Sequence, residues 1–425
     1  PALALLVMYM GLFPGLFGLA TAFLHNRFGR RGLIAAPAVW AVTEYLRCSG
    51  ELSFSWGIIS GSLLKFPLAS QGLFATGPFG FAMLIVAVNL LVAVALFVPR
   101  RGRRALAAAL LILLIGGAAA GGYFRLRRID AEIAAGENLA EVAIVQPNLD
   151  LAIKWQPVYR DTIFAEIESL TGKAAALGAR LVIFPETAAP VSMSHSRKYR
   201  EWMKGISRNA GVDVFIGYVR HVQEGDRWRS FNSSGMFTKG GGLARQYDKI
   251  KLLQFGERIP FSGWLPFLER MDFGQANFKR GEEQTIFESS AGSFGALICF
   301  ESTYSGYTRE YISKGADFLV NITNDGWFGS ARGPLQHAES AVQRAVENGV
   351  TVLRSANTGV PMLIDPAGRV VDSIGMDREG ILFVPVYRMS SPTPYARFGH
   401  WIFFWMVVLK AALIALWIRF VPRRA

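Results

Sequence analysis

Three residues in this chain are of types that could do chemistry together. Cys299 ends the apolar run Phe294–Cys299, Glu186 stands just past the run Leu181–Phe184, and Lys249 opens the polar stretch that continues to Glu257. A free thiol titrates near pH ~8.5 and attacks as its thiolate. A neighbouring carboxylate can take the proton as general base. That carboxylate alone would disfavour a thiolate, so a cation is needed close by. Lys249 is of the type that could supply it. Taken one at a time, each residue has a plainer meaning. A cysteine after an apolar strand is usually a small core residue, and the other two are ordinary polar surface. It is the set of three, in separate segments, that suggests chemistry.

The elements that would position them alternate in type. Apolar runs at Glu141–Val145, Leu181–Phe184, Val212–Tyr218, Gly235–Thr238, Ala244–Tyr247, Phe294–Cys299, Phe318–Ile322 and Val350–Leu353 read as strands. So do Met362–Asp365, Arg369–Ile374 and Ile381–Val386, the first two joined as a hairpin through Pro366-Ala367-Gly368. Helical stretches fall at 158–176, 196–209, 303–314 and 334–348. Alternation of this kind indicates an α/β domain. Glu186 and Cys299 both sit at strand ends, where open α/β sheets build their sites. The five histidines show no ligand spacing, so no metal site is expected. The Gly240-Gly241-Gly242 run is a turn, with no phosphate-loop Lys-Ser/Thr after it. The two cysteines, Cys48 and Cys299, make no disulfide framework.

Around this domain the chain is too apolar for an ordinary soluble protein: 51% hydrophobic, with mean hydropathy +0.28. Its formal charge of +13 lies beside apolar runs, and the middle of the chain is nearly neutral. That distribution argues against a nucleic-acid partner, which would need the basic charge on the folded domain itself. Runs at 1–24, 33–49, 79–98, 105–122 and 399–420 are candidate membrane spans. Arginines at 27–31, at 100–104 and at 423–424 flank them, and all three clusters agree on one orientation under the positive-inside rule. Residues 123–398 then lie outside the cytoplasm. Glu44 and Arg47, three apart in the second run, are expected to pair as a structural clamp. The domains read as 1–139 membrane helices, 140–388 catalytic, and 389–425 a last span with its tail. The chain begins without Met, so residues ahead of Pro1 are expected.

The motifs Leu-Val-Ile-Phe-Pro-Glu-Thr (181–187), Tyr-Asp-Lys-Ile-Lys-Leu-Leu-Gln-Phe-Gly-Glu (247–257) and Ala-Leu-Ile-Cys-Phe-Glu-Ser (296–302) resemble those of the nitrilase, or carbon–nitrogen hydrolase, superfamily. Within it the chain looks like the apolipoprotein N-acyltransferases. Stretches 36–47, Asn-Asp-Gly-Trp-Phe-Gly at 324–329 and Thr-Pro-Tyr-Ala-Arg at 393–397 are similar to theirs as well. The resemblance implies a four-layer αββα sandwich, inserted in a polytopic helical membrane domain with further spans before residue 1. It implies Glu186 as general base, Lys249 as oxyanion stabiliser and Cys299 as nucleophile. It makes Glu257, Glu301 and Phe300 supporting residues, and Trp155, Trp327 and Asn324 substrate-binding ones. Lys251, Gln254 and Phe300 depart from the family pattern, which has His, Pro and Tyr there.

The implied reaction moves an acyl chain from the sn-1 ester of a phospholipid, phosphatidylethanolamine by resemblance, to the N-terminal amine of a diacylglyceryl-cysteine lipoprotein. It runs through a Cys299 thioester and needs no cofactor. Apolar residues in 50–78 and around Phe261–Phe273 would admit the acyl chains. The implied location is the bacterial inner membrane, with the catalytic domain periplasmic. A tethered amidase and a non-catalytic lipoprotein-binding protein are the competing readings. A transporter is disfavoured because most of the chain is one extramembrane domain, without paired half-repeats.

Overall fold

The computed structural model describes residues 2–136, 138–265, 267–268, 276–329 and 331–420. Pro1, Arg423, Arg424 and the 269–273 part of the expected acyl-chain region lie outside the described residues. The chain divides into two compact units, Ile129–Pro392 and the pair of segments Pro1–Arg128 and Thr393–Ala425. The larger unit is thus inserted in the sequence of the smaller.

Within Ile129–Pro392 the described residues form two sheets. The first holds β1 (Asn138–Gln146), β2 (Leu181–Ile183), β3 (Ala189–Ser192), β4 (Asp213–Glu224), β5 (Arg227–Phe237), β6 (Leu243–Asp248) and β13 (Gly380–Tyr387), in the order β13-β1-β2-β4-β5-β6, with β3 beside β4. The second holds β7 (Ile286–Ser289), β8 (Gly292–Ile298), β9 (Phe318–Thr323), β10 (Val352–Ala356), β11 (Met362–Ile364) and β12 (Val370–Ser373), in the order β12-β11-β10-β9-β8-β7. The centres are parallel, β1-β2-β4 and β8-β9-β10, and the edges antiparallel.

Strand periodicity explains the layers. Ala143, Val145, Val182, Val214 and Ile216 pack with Phe164 and Ile167 of helix Arg160–Ala176 and Met203 and Ile206 of helix Arg197–Ala210. The alternate residues Val142, Ile144, Leu181, Ile183 and Phe215 are equally buried. They face the other sheet, where Phe215 meets Phe287 and Phe294 at 5.0 Å each. Helices Ser305–Ser313 and Arg332–Asn348 cover the outer side of the second sheet. The architecture is the αββα sandwich expected from the resemblance.

Differences from the sequence reading have local causes. β4 and β5 run on as a long hairpin past Tyr218, through Arg220, His221 and Gln223, to a two-residue loop with Gly225 at φ +59. These strand ends are solvated, so apolar periodicity does not mark them. β3 and β7, four residues each, are too short to show a period.

The helical stretches Ala4–Arg47 and Gly72–Phe97, and Arg101–Ala135, which continues past Arg128, are long and apolar enough to cross a membrane. The chain reverses at Gly29 (φ +61), so that Phe17 meets the ring of Trp40 at 5.1 Å. The helix Gly72–Phe97 kinks at Gly77 (φ +64), just before Pro78. A Cβ on Gly77 would lie 2.4 Å from the ring of Tyr395. Glu44 and Arg47 stand 3.9 Å apart and are buried. Arg47 donates to the carbonyls of Phe54 and Trp56 (2.8 and 2.6 Å), and Glu44 accepts from the Ile59 N–H at 2.9 Å. The pair therefore ties down the loop that follows its helix, which is a clamp.

Candidate active site

Glu186, Lys249 and Cys299 come from the ends of three different strands. Phe184 and Pro185 follow β2, and the next turn holds Glu186 and Thr187, the latter at φ +49. Lys249 follows β6. Cys299 follows β8 at φ +54 and starts the 3-10 turn Cys299–Thr303. A left-handed backbone at a residue with a Cβ costs about 1–3 kcal/mol, and surrounding bonds must hold it there.

Those bonds are present. Glu301 is fully buried, and its carboxylate accepts the Ile298 N–H (2.8 Å), the Ile250 N–H (2.8 Å), the Lys251 N–H (2.9 Å) and the Tyr247 hydroxyl (2.6 Å). One side chain so fastens the cysteine turn to the lysine loop. Burial raises its pKa, and these hydrogen bonds work against that rise.

On the other side, the Lys249 ammonium is 2.9 Å from the Glu257 carboxylate and 3.7 Å from Glu186 Oε1. Asn232 Nδ2 donates to both Glu186 (2.6 Å) and Glu257 (2.9 Å), spacing the two carboxylates about the ammonium. Glu186 Oε2 accepts the Asn324 backbone N–H at 2.9 Å. Glu257 also accepts the Leu253 N–H at 2.8 Å, which closes the lysine loop on itself.

The electrostatics follow from burial and these neighbours. Burial works to lower the pKa of Lys249, but the charges of Glu257, Cys299 and Glu186 outweigh it and raise the value. Burial also raises the Cys299 pKa, Glu186 pushes the same way, and Lys249 only partly offsets them. At neutral pH the site therefore rests as a thiol beside an ammonium. A thiol so placed would need a base to act as a nucleophile.

The structure thus brings Glu186, Lys249, Glu257 and the Asn324 backbone together around Cys299, with Glu301 behind them. Phe300 is buried, and its ring packs edge-on against Tyr304 at 5.7 Å. Trp155 and Trp327 are 41% and 72% exposed, neither in the hydrogen-bonded cluster. Trp155 reaches it indirectly. Lys154, whose Nζ lies 5.7 Å from that ring, is fully buried and donates to the Glu186 carbonyl (3.3 Å) and Thr187 Oγ1 (2.9 Å). Burial lowers the Lys154 pKa to about 7, against the opposing pull of Glu186.

Sequence reasoning passed over Asn232, Lys154 and Gly217. Asn232 stands in the polar stretch Ser230–Ser234, outside the strand read at Gly235–Thr238, and nothing in the sequence marked it. Nor did anything mark Gly217. It lies against the Glu186 turn, and a Cβ there would come within 2.5 Å of the Thr187 N and 2.8 Å of the Glu186 Cα. Both are backbone atoms and cannot swing aside. Gly217→Ala is accordingly expected to displace the Glu186 carboxylate. It should cut turnover by about 10²-fold, the order expected for a 1 Å misplacement, while costing about 1–3 kcal/mol of stability. Turnover measured beside thermal unfolding checks this. Wild-type turnover in the variant would refute the packing argument.

Comparison with known proteins bears on what such a site serves. Residues 141–390 match the carbon-nitrogen hydrolase family model, and residues 1–91 match that of the apolipoprotein N-acyltransferase N-terminal domain. The chain is 32% identical to the apolipoprotein N-acyltransferase of Geobacter metallireducens, over 97% of this chain and 79% of that protein. It is 32% identical to that of Methylococcus capsulatus, over 94% and 77%. Among solved structures, an amidase from Nesterenkonia sp. aligns with a TM-score of 0.47 at 19% identity, over 67% of this chain and 98% of that one. With a carbon–nitrogen hydrolase domain inserted between apolar helices and relatives of this kind along nearly its whole length, the chain belongs to the apolipoprotein N-acyltransferase family and is an acyltransferase enzyme.

Proposed function

We propose that the enzyme transfers an acyl chain from the sn-1 ester of a phospholipid, phosphatidylethanolamine above others, through a Cys299 thioester to the N-terminal amine of a diacylglyceryl-cysteine lipoprotein. The observation that carries this reading is the buried Glu186–Lys249–Glu257 cluster about Cys299, in a chain whose helices are long and apolar enough to span a membrane. Both substrates are lipids, and an enzyme held in the membrane meets them where they reside.

In the first half-reaction Glu186 takes the thiol proton as Cys299 Sγ attacks the ester carbonyl. The Lys249 ammonium and the Phe300 N–H face the oxyanion. Collapse breaks the ester C–O bond, the lysophospholipid oxygen recovers the proton from Glu186, and the thioester remains. In the second, the neutral lipoprotein amine attacks the thioester and Glu186 accepts a proton from the new nitrogen. Sulfur leaves and is reprotonated, and an amide is formed. Lys249 stays charged throughout, because its carboxylates hold it so. Glu257 and Asn232 keep that ammonium in place, and Trp155, Trp327 and Asn324 border the substrate. The domain sequence is membrane helices over 1–139, a catalytic domain over 140–388 and a C-terminal segment over 389–425 that holds a last span at about 399–420. The arginine clusters that flank the spans support a catalytic domain outside the cytoplasm, in a bacterial inner membrane.

Intact-mass measurement on sealed vesicles bearing the protein tests the reading and the orientation together. With phospholipid alone, an added acyl mass that hydroxylamine removes is expected. Diacylated lipopeptide added outside right-side-out vesicles should discharge it and become N-acylated. Loss of the acyl group to water, whether or not lipopeptide is present, would make the enzyme a hydrolase. Discharge only after the vesicles are opened would reverse the orientation.

A further inference from the structure

Arg354 lies in β10, a fully buried strand, and is itself 0% exposed. A charge so placed is costly unless it is paired and hydrogen-bonded. It is both. Nη1 donates to Asn321 Oδ1 at 2.5 Å on the neighbouring strand β9, where the two residues are in register. Nη2 donates to Asp325 Oδ2 at 2.6 Å and lies 3.3 Å from His337 Nδ1.

Each arm leads to the reacting groups in one step. With Oδ1 of Asn321 taken by the guanidinium, its amide is turned so that Nδ2 donates to the carbonyls of Leu297 (3.2 Å) and Cys299 (3.3 Å). The second of these belongs to the cysteine held at φ +54. Asp325, held by Arg354, by Thr323 Oγ1 (3.0 Å) and by His337 (2.9 Å), pins the turn that begins at Asn324. The Asn324 N–H is the donor to Glu186 Oε2. We propose that Arg354 is a positioning residue that sets the Cys299 backbone through Asn321 and the Glu186 carboxylate through the Asp325 turn, while its charge screens the thiol from the Asp325 carboxylate. The proposal rests on the roles of Cys299 and Glu186 given above.

The charges involved are few. Cys299 is faced by Glu186, Lys249 and Glu257, and more weakly by Asp325. Asp325 is faced by Arg354 and His337. Burial pulls the Asp325 pKa upward, but Arg354 and then His337 outweigh it and hold the value well below the usual carboxylate range. Without Arg354 that carboxylate would stand unscreened near the thiol. A network that merely held two strands together would not tune the thiol, and this separates the proposal from a purely structural role. Because Arg354 is wholly buried, it touches no substrate, and KM should not move.

The test follows Cys299 alkylation by iodoacetamide against pH, read by intact mass, with kcat and KM for phospholipid. The variants are Arg354→Met and the double Asp325→Asn/Arg354→Met, with Cys299→Ala as the control for where the label lands. Arg354→Met should lower kcat by about 10²-fold at a KM unchanged within about two-fold, and move the alkylation profile up by about one pH unit. The double variant removes both charges. It should return the profile towards wild type and still leave kcat low, since Asn321 lacks its fork. A folded Arg354→Met with wild-type kcat and profile overturns the proposal. So does a loss of kcat with the profile in place and KM raised. If Arg354→Met does not fold, the double variant carries the test, and wild-type kcat in it is the overturning result. A wild type that alkylates but gains no acyl mass from phospholipid would instead remove the reading beneath the proposal.

Discussion

Cys299→Ser should lose acyl transfer by at least about 10³-fold while keeping the fold. Cys299 is part-exposed at the end of β8, and an oxygen for sulfur exchange there changes little volume. It does change the proposed nucleophile, because a hydroxyl gives up its proton far less readily than a thiol and the proposed base would have to take it. Glu186→Gln should cost as much for the complementary reason, since the resting thiol has its pKa raised by burial and needs a base to attack. Residues that act as one unit are non-additive. The double variant should therefore be no slower than the slower single. Rates of lipopeptide N-acylation, with thermal unfolding as the control for folding, give the comparison. Multiplying losses would mean that the two residues act in separate steps.

Lys249→Met is expected to strike stability and activity together. The ammonium is 1% exposed between two carboxylates that Asn232 also bridges. Removing one partner of a buried ion pair leaves uncompensated charge and costs about 3–5 kcal/mol. Acyl transfer should fall below detection, since the oxyanion loses its cation. The pH dependence has a definite sign. The folded pKa of Lys249 lies above its unfolded value. Its stabilisation is therefore complete below about pH 10.4, the ordinary lysine value, and is lost only as pH rises through the higher folded one. From pH 6 to 9 the stability difference between wild type and variant should not shrink as pH rises, as thermal unfolding in detergent would show. A difference that vanished between pH 7 and 9 would mean the lysine titrates near neutrality and cannot be the permanent cation of the site.

Much of this was legible from residue order. The apolar runs that became β1, β2, β8, β9 and β10 are buried on both faces, so their side chains had to be apolar almost without interruption. That marks a parallel centre and places Glu186 and Cys299 at strand ends. What sequence alone could not state is which polar residues inside those strands mattered, or how. Asn321 and Arg354 each interrupt an apolar strand, Asn232 stands in the polar stretch Ser230–Ser234 of β5, and all three turn out to bond towards the site. The pattern reports only that something polar is buried. Its partner lies elsewhere in the chain, 46 residues away for Asn232 with Glu186 and 33 for Arg354 with Asn321.

Solvated strand ends, such as β4 beyond Tyr218, and strands of four residues left no period to read. Residue order by itself determined an α/β domain and the apolar helices, and resemblance to the nitrilase superfamily added the αββα class and the proposed thiol, base and cation. Tertiary structure alone decided that one ammonium stands between two carboxylates, that Glu301 locks the cysteine turn to the lysine loop, and that Gly217 leaves room for Glu186. The physical reason is that residue type and local period encode burial and backbone preference. A charge or hydrogen-bond partner brought from a distant strand end is encoded only by the packing of the whole domain.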